Sequence, residues 1–214
     1  MKVVVTRPAG QEEELVRGLL ALRHDVVHCP LLEVEPLGDS PLDVSVYDWV
    51  IVTSVNGARE LRRRMTGTPK RVAAIGQATA DAFGGADLVP AVSTQEGLLA
   101  ELPRPAGRVL FAGGEGARRL LVDELDATFV ALYRTRELAP ARPPEGDLVV
   151  LASASAARAF ARLGSPIPAV SIGPLTTAAA RDAGIEVVRE AETHDVAGLL
   201  AAVRWVSGNS RTSG

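Results

Sequence analysis

A chain of 214 residues that is 47% hydrophobic can bury a substantial core, either as one large domain or as two of roughly 100 residues each. Its net charge of −3 gives no basic field for nucleic acid or a membrane surface. Cys29 is the sole cysteine, which excludes an internal disulfide and fits a reducing compartment.

Short apolar, β-branched runs alternate with segments of helical period. "KVVVT" at 2–6 reads as a strand, "QEEELVRGLLAL" at 11–22 as a helix with Leu15, Val16, Leu19 and Leu20 on one face, and "VVH" at 26–28 as a strand. "WVIVT" at 49–53, a helix over 56–66, "RVAAI" at 71–75, a helix over 77–83, "DLV" at 87–89 and a helix over 95–102 continue the pattern. In "STQE", Ser93 and Glu96 have capping-box spacing. From about 107 the programme restarts: strand 108–112, helix 115–125, strands 128–133 and 148–152, helix 155–163, strand 169–172, helix 174–183, strand 185–188 and helix 195–204. Strands that are apolar throughout belong to parallel sheets covered on both faces.

The second half answers the first. "WVIVTSVNGARE" and "VVLASASAARAF" superpose Ser54 on Ser153, Asn56 on Ser155, Ala58 on Ala157 and Arg59 on Arg158. "AIGQATADA" at 74–82 and "SIGPLTTAA" at 171–179 pair Gly76 with Gly173 and Thr79 with Thr176, and a third match pairs Gly97 with Gly198. This order of elements implies two similar α/β units. The Pro- and charge-rich stretches 31–43 and 134–146 read as extended connectors between domains. The polar end of the chain, "SGNSRTSG" at 207–214, has nothing apolar to bury and reads as a disordered tail.

In open parallel sheets, ligands bind beyond the carboxyl ends of the strands, where helix N-termini present unpaired N–H groups. Thr53, Ser54 and Asn56 fall there, as do Gly76, Gln77 and Thr79, and in the second half of the chain Ser153, Ser155, Gly173 and Thr176. Capping alone accounts for any one such residue. Two mirrored sets, on two domains facing each other, would line one cleft suited to a polyanion. Nearly all cationic charge is arginine, with Lys2 and Lys70 the only lysines; an Arg- and Ala-rich composition explains this, and bidentate binding of carboxylates would use it. Tyr133 ends a strand beside a connector, where its phenol either packs or faces the cleft.

Other chemistries do not fit. "TSVNG" and "ASASA" are not nucleophile elbows, and "AGGEGAR" at 112–118 lacks the phosphate-loop ending. The acids of "QEEEL" read as a solvated helix face near the positive end of its dipole. His24, His28 and His194 show no metal-ligand spacing with each other or with Cys29, so no metal site is expected. No leader precedes "MKVVVTRP" and no run of about 18 apolar residues occurs, so a cytoplasmic protein is expected.

Taken together, "VVVTRPAG", "VTSVNGARE", "AAIGQATADAF", "LYRT", "LASASAARAF" and "SIGPLTTAAA" resemble the uroporphyrinogen-III synthase family over residues 2–204. The resemblance implies an α/β fold of two flavodoxin-like, doubly wound parallel-sheet domains joined by a two-strand linker. One domain would combine 1–35 with 142–204 and the other would be 39–136, with 205–214 as the tail. It implies cyclisation of the linear tetrapyrrole hydroxymethylbilane to uroporphyrinogen III, with inversion of the last pyrrole and loss of water, by a monomer that needs no metal or organic cofactor and no nucleic-acid or membrane partner. By the match to the family motifs, Tyr133 is the candidate acid or hydrogen-bond donor at the departing hydroxyl. An ordinary phenol, with a pKa of about 10, is protonated at neutral pH. Ser54, Thr79, Ser153 and Thr176 match family positions lining the cleft, Arg7 of "VTRP" would bind a carboxylate, and Asn56, Gln77 and Ser155 lie beside them as further substrate ligands. The chain departs from the family at Leu175, where a hydroxyl occurs in relatives, and in "SAS", where Pro often follows the serine. A non-catalytic two-domain binding or regulatory module remains the alternative.

Overall fold

The computed structural model describes residues 1–209. In chain order it contains β1 (Lys2–Val5), α1 (Glu13–Ala21), β2 (Asp25–His28), β3 (Leu32–Pro36), β4 (Leu42–Asp43), β5 (Trp49–Val52), α2 (Val55–Arg64), β6 (Met65–Thr66), β7 (Val72–Ala74), α3 (Gln77–Phe83), α4 (Gln95–Glu101), β8 (Val109–Gly114), α5 (Leu120–Leu125), β9 (Thr128–Glu137), β10 (Leu148–Leu151), α6 (Ala154–Ala161), β11 (Ala169–Ser171), α7 (Pro174–Asp182), β12 (Val187–Glu190) and α8 (Val196–Asn209). The chain forms two compact units, one made of Met1–Glu33 together with the chain from Arg136 onward, the other of Val34–Thr135.

The first unit has a five-stranded sheet of order β12-β11-β10-β1-β2, parallel throughout. Counted in chain order within the unit this is 2-1-3-4-5, the flavodoxin-like winding. Alternate residues of one strand serve opposite faces. Val4, Val149 and Leu151 join Phe160 and Ala180 on one side, while Val3, Val5, Val150 and Val170 join Leu15, Leu19, Leu199 and Val203 on the other. Each such fully buried large side chain stabilises the fold by about 1.5–3 kcal/mol, and a sheet buried on both faces explains why its strands carry no polar alternation.

The second unit has the order β3-β9-β8-β5-β7, with Leu88 bridging Ala73 beyond β7. Its parallel strands β9, β8, β5 and β7 repeat the same winding with the chain entering at a different strand. Val50, Val52, Leu61, Phe83 and Leu110 pack on one face, and Trp49, Ile51, Leu98, Phe111 and Leu121 on the other. β3 and β9 run antiparallel: Leu37 N–H donates to the Leu132 carbonyl at 2.8 Å and Leu138 N–H to the Leu31 carbonyl at 2.9 Å. Ion pairs Glu35–Arg134 and Glu33–Arg136, both at 2.9 Å, line this ribbon, so within the two connector stretches Leu32–Pro36 and 134–137 are ladder-bonded strand.

Several sequence expectations need correction. The cap of α4 is Thr94, whose hydroxyl accepts from Gly97 N–H, not Ser93; Glu96 instead forms two bonds to Arg118. α5 begins at Leu120 rather than 115, because Glu115 N–H is taken by the Tyr133 carbonyl and Ala117 N–H by that of Gly114, which makes a turn. The expected strand 87–89 contributes a single bridge, β9 runs on to Glu137, and the short pair β4–β6 was not anticipated. α8 extends to Asn209, so residues 205–209 of the expected disordered tail are helical; 210–214 lie outside the described residues.

Candidate functional site

The candidate residues fall where strands end and helices begin. In the second unit, Ser54 follows β5 in an extended conformation and caps α2, its Oγ accepting from Gly57 N–H at 3.0 Å. The Tyr133 hydroxyl lies 2.9 Å from the same Oγ. Tyr133 stands on β9, with β8 between it and β5, so its ring must cross one strand to reach Ser54. Gly114 makes that crossing possible: a Cβ there would lie 3.0 Å from Tyr133 Cζ and 3.1 Å from its hydroxyl oxygen. A register shift between Gly113 and Gly114 sets Tyr133 opposite Gly114, which re-aims the side chain as bulges do.

α3 opens on Gly76, which makes no side-chain cap. Thr79 is the third helical residue and is buried, whereas Gln77 is exposed and donates to Asp81 Oδ1 at 2.7 Å. Asn56, second in α2, is half-buried and engaged.

In the first unit, Ser153 caps α6, accepting from Ala156 N–H at 3.1 Å, and lies 3.1 Å from Ser155 Oγ. α7 opens on Gly173 and Pro174, again without a side-chain cap, and Thr176 is buried at its third position. A Cβ at Gly173 would lie 2.7 Å from His194 Cδ2, so a larger residue there would have to displace that exposed imidazole. Leu175, at the departure from the family pattern, is 83% exposed. Arg7 follows β1; its carbonyl accepts from His28 Nε2 at 2.9 Å, and the residue has a further interaction. His28 Nδ1 stands 3.9 Å from Glu12, a carboxyl held below its ordinary range by backbone amides first and by His28 as well.

Thus Ser54 meets Tyr133 and Ser153 meets Ser155, while Thr79 and Thr176 sit beneath glycine-opened helix starts in separate units, and Gln77 pairs with no other candidate. Sequence reasoning missed Gly114, His194 and the chain Ser171–Thr177–Glu190, in which the buried Thr177 hydroxyl donates to the half-buried Glu190 carboxylate. The signal for Gly114 in the sequence is the pair of glycines that ends an apolar strand in "AGGEGAR". No group of three or more His, Cys, Asp or Glu among the described residues could hold a metal ion, and no described helix is long and apolar enough to cross a membrane.

The fold is of the doubly wound α/β class, present in two units, with hydroxyl- and glycine-opened helix starts at the carboxyl ends of their strands, the end at which open α/β sheets take their ligands. The family described as Uroporphyrinogen-III synthase HemD matches residues 13–201. The chain is 32% identical over 209 residues to a putative uroporphyrinogen-III synthase of Archaeoglobus fulgidus, covering 86% of this chain and 90% of that one. It is 27% identical over 251 residues to the uroporphyrinogen-III synthase of Synechococcus elongatus, covering 95% and 94%. The chain belongs to the uroporphyrinogen-III synthase family. Its fold is that of a mutant uroporphyrinogen III synthase from the extremely thermophilic bacterium Thermus thermophilus, with a TM-score of 0.63 at 16% identity over 98% of this chain and 99% of that one.

Proposed function

We propose that the chain catalyses cyclisation of hydroxymethylbilane to uroporphyrinogen III, with inversion of the terminal pyrrole and loss of water. The observation that carries this reading is the family match over residues 13–201. The linear tetrapyrrole must lose its terminal hydroxyl to give an electrophilic azafulvene, which the last ring attacks through its substituted carbon to form a spiro intermediate. Spontaneous closure gives the symmetric isomer instead, so the protein's task is to fold the chain and favour one attack geometry.

Tyr133 acts as general acid at the departing hydroxyl. The substrate's eight carboxylates are met by Arg7 and by the helix starts carrying Asn56, Gln77, Thr79, Ser153, Ser155 and Thr176, where backbone N–H groups and hydroxyls supply donors. We take the protein to work as a cytoplasmic monomer on this small-molecule substrate, without metal or organic cofactor. Because binding is spread over many weak contacts, Thr79→Ala and Ser153→Ala should lower kcat/KM by about 3- to 10-fold, and Tyr133→Phe by about 100-fold or more.

The test is isomer analysis. Hydroxymethylbilane is generated from porphobilinogen by its deaminase, with and without this protein, and the oxidised uroporphyrins are separated. A shift from isomer I to isomer III supports the reaction; isomer I alone from a folded sample removes the enzyme reading and leaves a tetrapyrrole-binding or unrelated module. Full turnover in Tyr133→Phe would remove the acid role.

A further inference from the structure

Ser54 is set apart from the other hydroxyl candidates by what it faces, the phenol of the candidate acid. Its Oγ accepts from Gly57 N–H at 3.0 Å and lies 2.9 Å from the Tyr133 hydroxyl. A serine hydroxyl has one proton and two lone pairs. With one lone pair held by Gly57, its proton can point at the phenol oxygen, which leaves the phenol proton to be given away. Two glycines secure the pair: a Cβ at Gly57 would lie 3.0 Å from Ser54 Oγ, and one at Gly114 would lie 3.1 Å from the Tyr133 hydroxyl.

We infer that Ser54 is a positioning residue for Tyr133, stabilising the phenolate formed when the phenol protonates the leaving hydroxyl, and is not a carboxylate ligand. The inference rests on the proposed reaction. In the step, the Tyr133 proton passes to the terminal hydroxyl of the bilane, and the C–O bond breaks with its electron pair leaving as water. The pyrrole nitrogen lone pair fills the vacancy at carbon, and the phenolate regains a proton from the cyclised tetrapyrrole as its pyrrole is restored. At the moment of transfer the Ser54 O–H bond to phenol oxygen becomes charge-assisted, about twice as strong as its neutral form. Gly57 N–H, in the first turn of α2, polarises Ser54 in the same sense.

The experiment is steady-state kinetics of isomer III formation in Ser54→Ala, Ser54→Thr, Ser54→Asp, Tyr133→Phe and Ser54→Ala/Tyr133→Phe, each checked for folding by circular dichroism. Ser54→Ala should lower kcat about 10- to 100-fold with KM unchanged, Ser54→Thr should restore most of it, and Ser54→Ala should change little in the Tyr133→Phe background. Ser54→Asp keeps the helix cap but has no proton to give, so it should be folded and as slow as Ser54→Ala. A raised KM with kcat kept, a folded Ser54→Asp with wild-type kcat, or losses that multiply in the double variant would overturn the inference while isomer III production by the wild type stands. Isomer I alone from the wild type would instead remove the reaction on which it rests.

Discussion

Gly97 and Gly198, paired by the internal repeat, should each resist replacement by alanine, although alanine is the better helix former. Both are the third residue of a helix, α4 and α8, and both N–H groups bind the capping side chain, Thr94 Oγ1 at 3.0 Å and Asp195 Oδ1 at 2.7 Å. A Cβ at Gly97 would lie 2.0 Å from the Val92 carbonyl oxygen, and one at Gly198 would lie 2.1 Å from that of Thr193. Ordinary C···O contacts begin at about 3.3 Å, so the oxygen would have to retreat by about 1.2 Å. It is a backbone atom, and at Val92 it is held by Thr94 N–H at 2.7 Å, so no rotamer change relieves the clash.

Two effects oppose each other. Alanine in place of glycine stabilises a helix interior by about 0.5–1 kcal/mol, and overpacking typically costs about 1–3 kcal/mol, here at its upper end because the displaced atom carries a turn hydrogen bond. The clash wins by about 2 kcal/mol, which for a unit of this size lowers Tm by about 8–15 °C. Thermal melts followed by circular dichroism should show this for Gly97→Ala and Gly198→Ala, with Gly208→Ala as control, since nothing lies within 4 Å of a Cβ there. A melting temperature for Gly97→Ala at or above wild type would mean that propensity outweighs the clash, and the reasoning from the close approach would fail.

Gly114→Ala should act on chemistry more than on stability, because its Cβ would meet Tyr133 Cζ, Oη and Cε2 at 3.0–3.2 Å; an expected loss of about 10-fold or more in kcat, absent in Gly116→Ala, would be read by the isomer III assay, and equal activity would show that Tyr133 needs no such seat. Glu96, held at about 2 by two hydrogen bonds from Arg118 first and by its backbone amide, titrates below its unfolded value, so its contribution is complete above about 4.5 and fades as pH falls toward 2; denaturation of Glu96→Gln should therefore show a shallower loss of stability across that window than wild type, and parallel curves would refute the assignment.

The sheets were legible because burial on both faces removes polar alternation from their strands, so runs such as "WVIV" announce themselves. The helix starts were legible because hydroxyl and glycine residues punctuate them at repeated places. What failed was decided by contacts distant in sequence. Residues 115–119 carry a helical composition, yet their first amide is claimed by Tyr133 on the neighbouring strand. Ser93 and Thr94 offer the same chemistry one residue apart, and the backbone alone chooses between them. At the candidate site, Ser54 and Tyr133 were each readable, but their meeting was not, since it depends on a register shift at Gly113–Gly114 and joins residues 79 positions apart.

The repeat and the two units become consistent once the strands are matched by position. β1 and β2 stand in the first sheet where β8 and β9 stand in the second, and β10 and β11 stand where β5 and β7 do. The chain therefore runs through the same five-strand programme twice, while each unit takes its first two strands from one pass and the rest from the other; only connectors at β3 and β9 are then needed to join them. The scaffold is thus duplicated, with Ser54 and Ser153 capping equivalent helices, but one feature is not. By the strand registers, the place held by Tyr133 in one unit falls at Leu31–Leu32 in the other, both buried and apolar, and there Ser153 turns to Ser155 instead. The proposed reaction asks for this asymmetry: eight carboxylates call for repeated anion-binding helix starts, whereas a bilane with one leaving hydroxyl calls for a single acid.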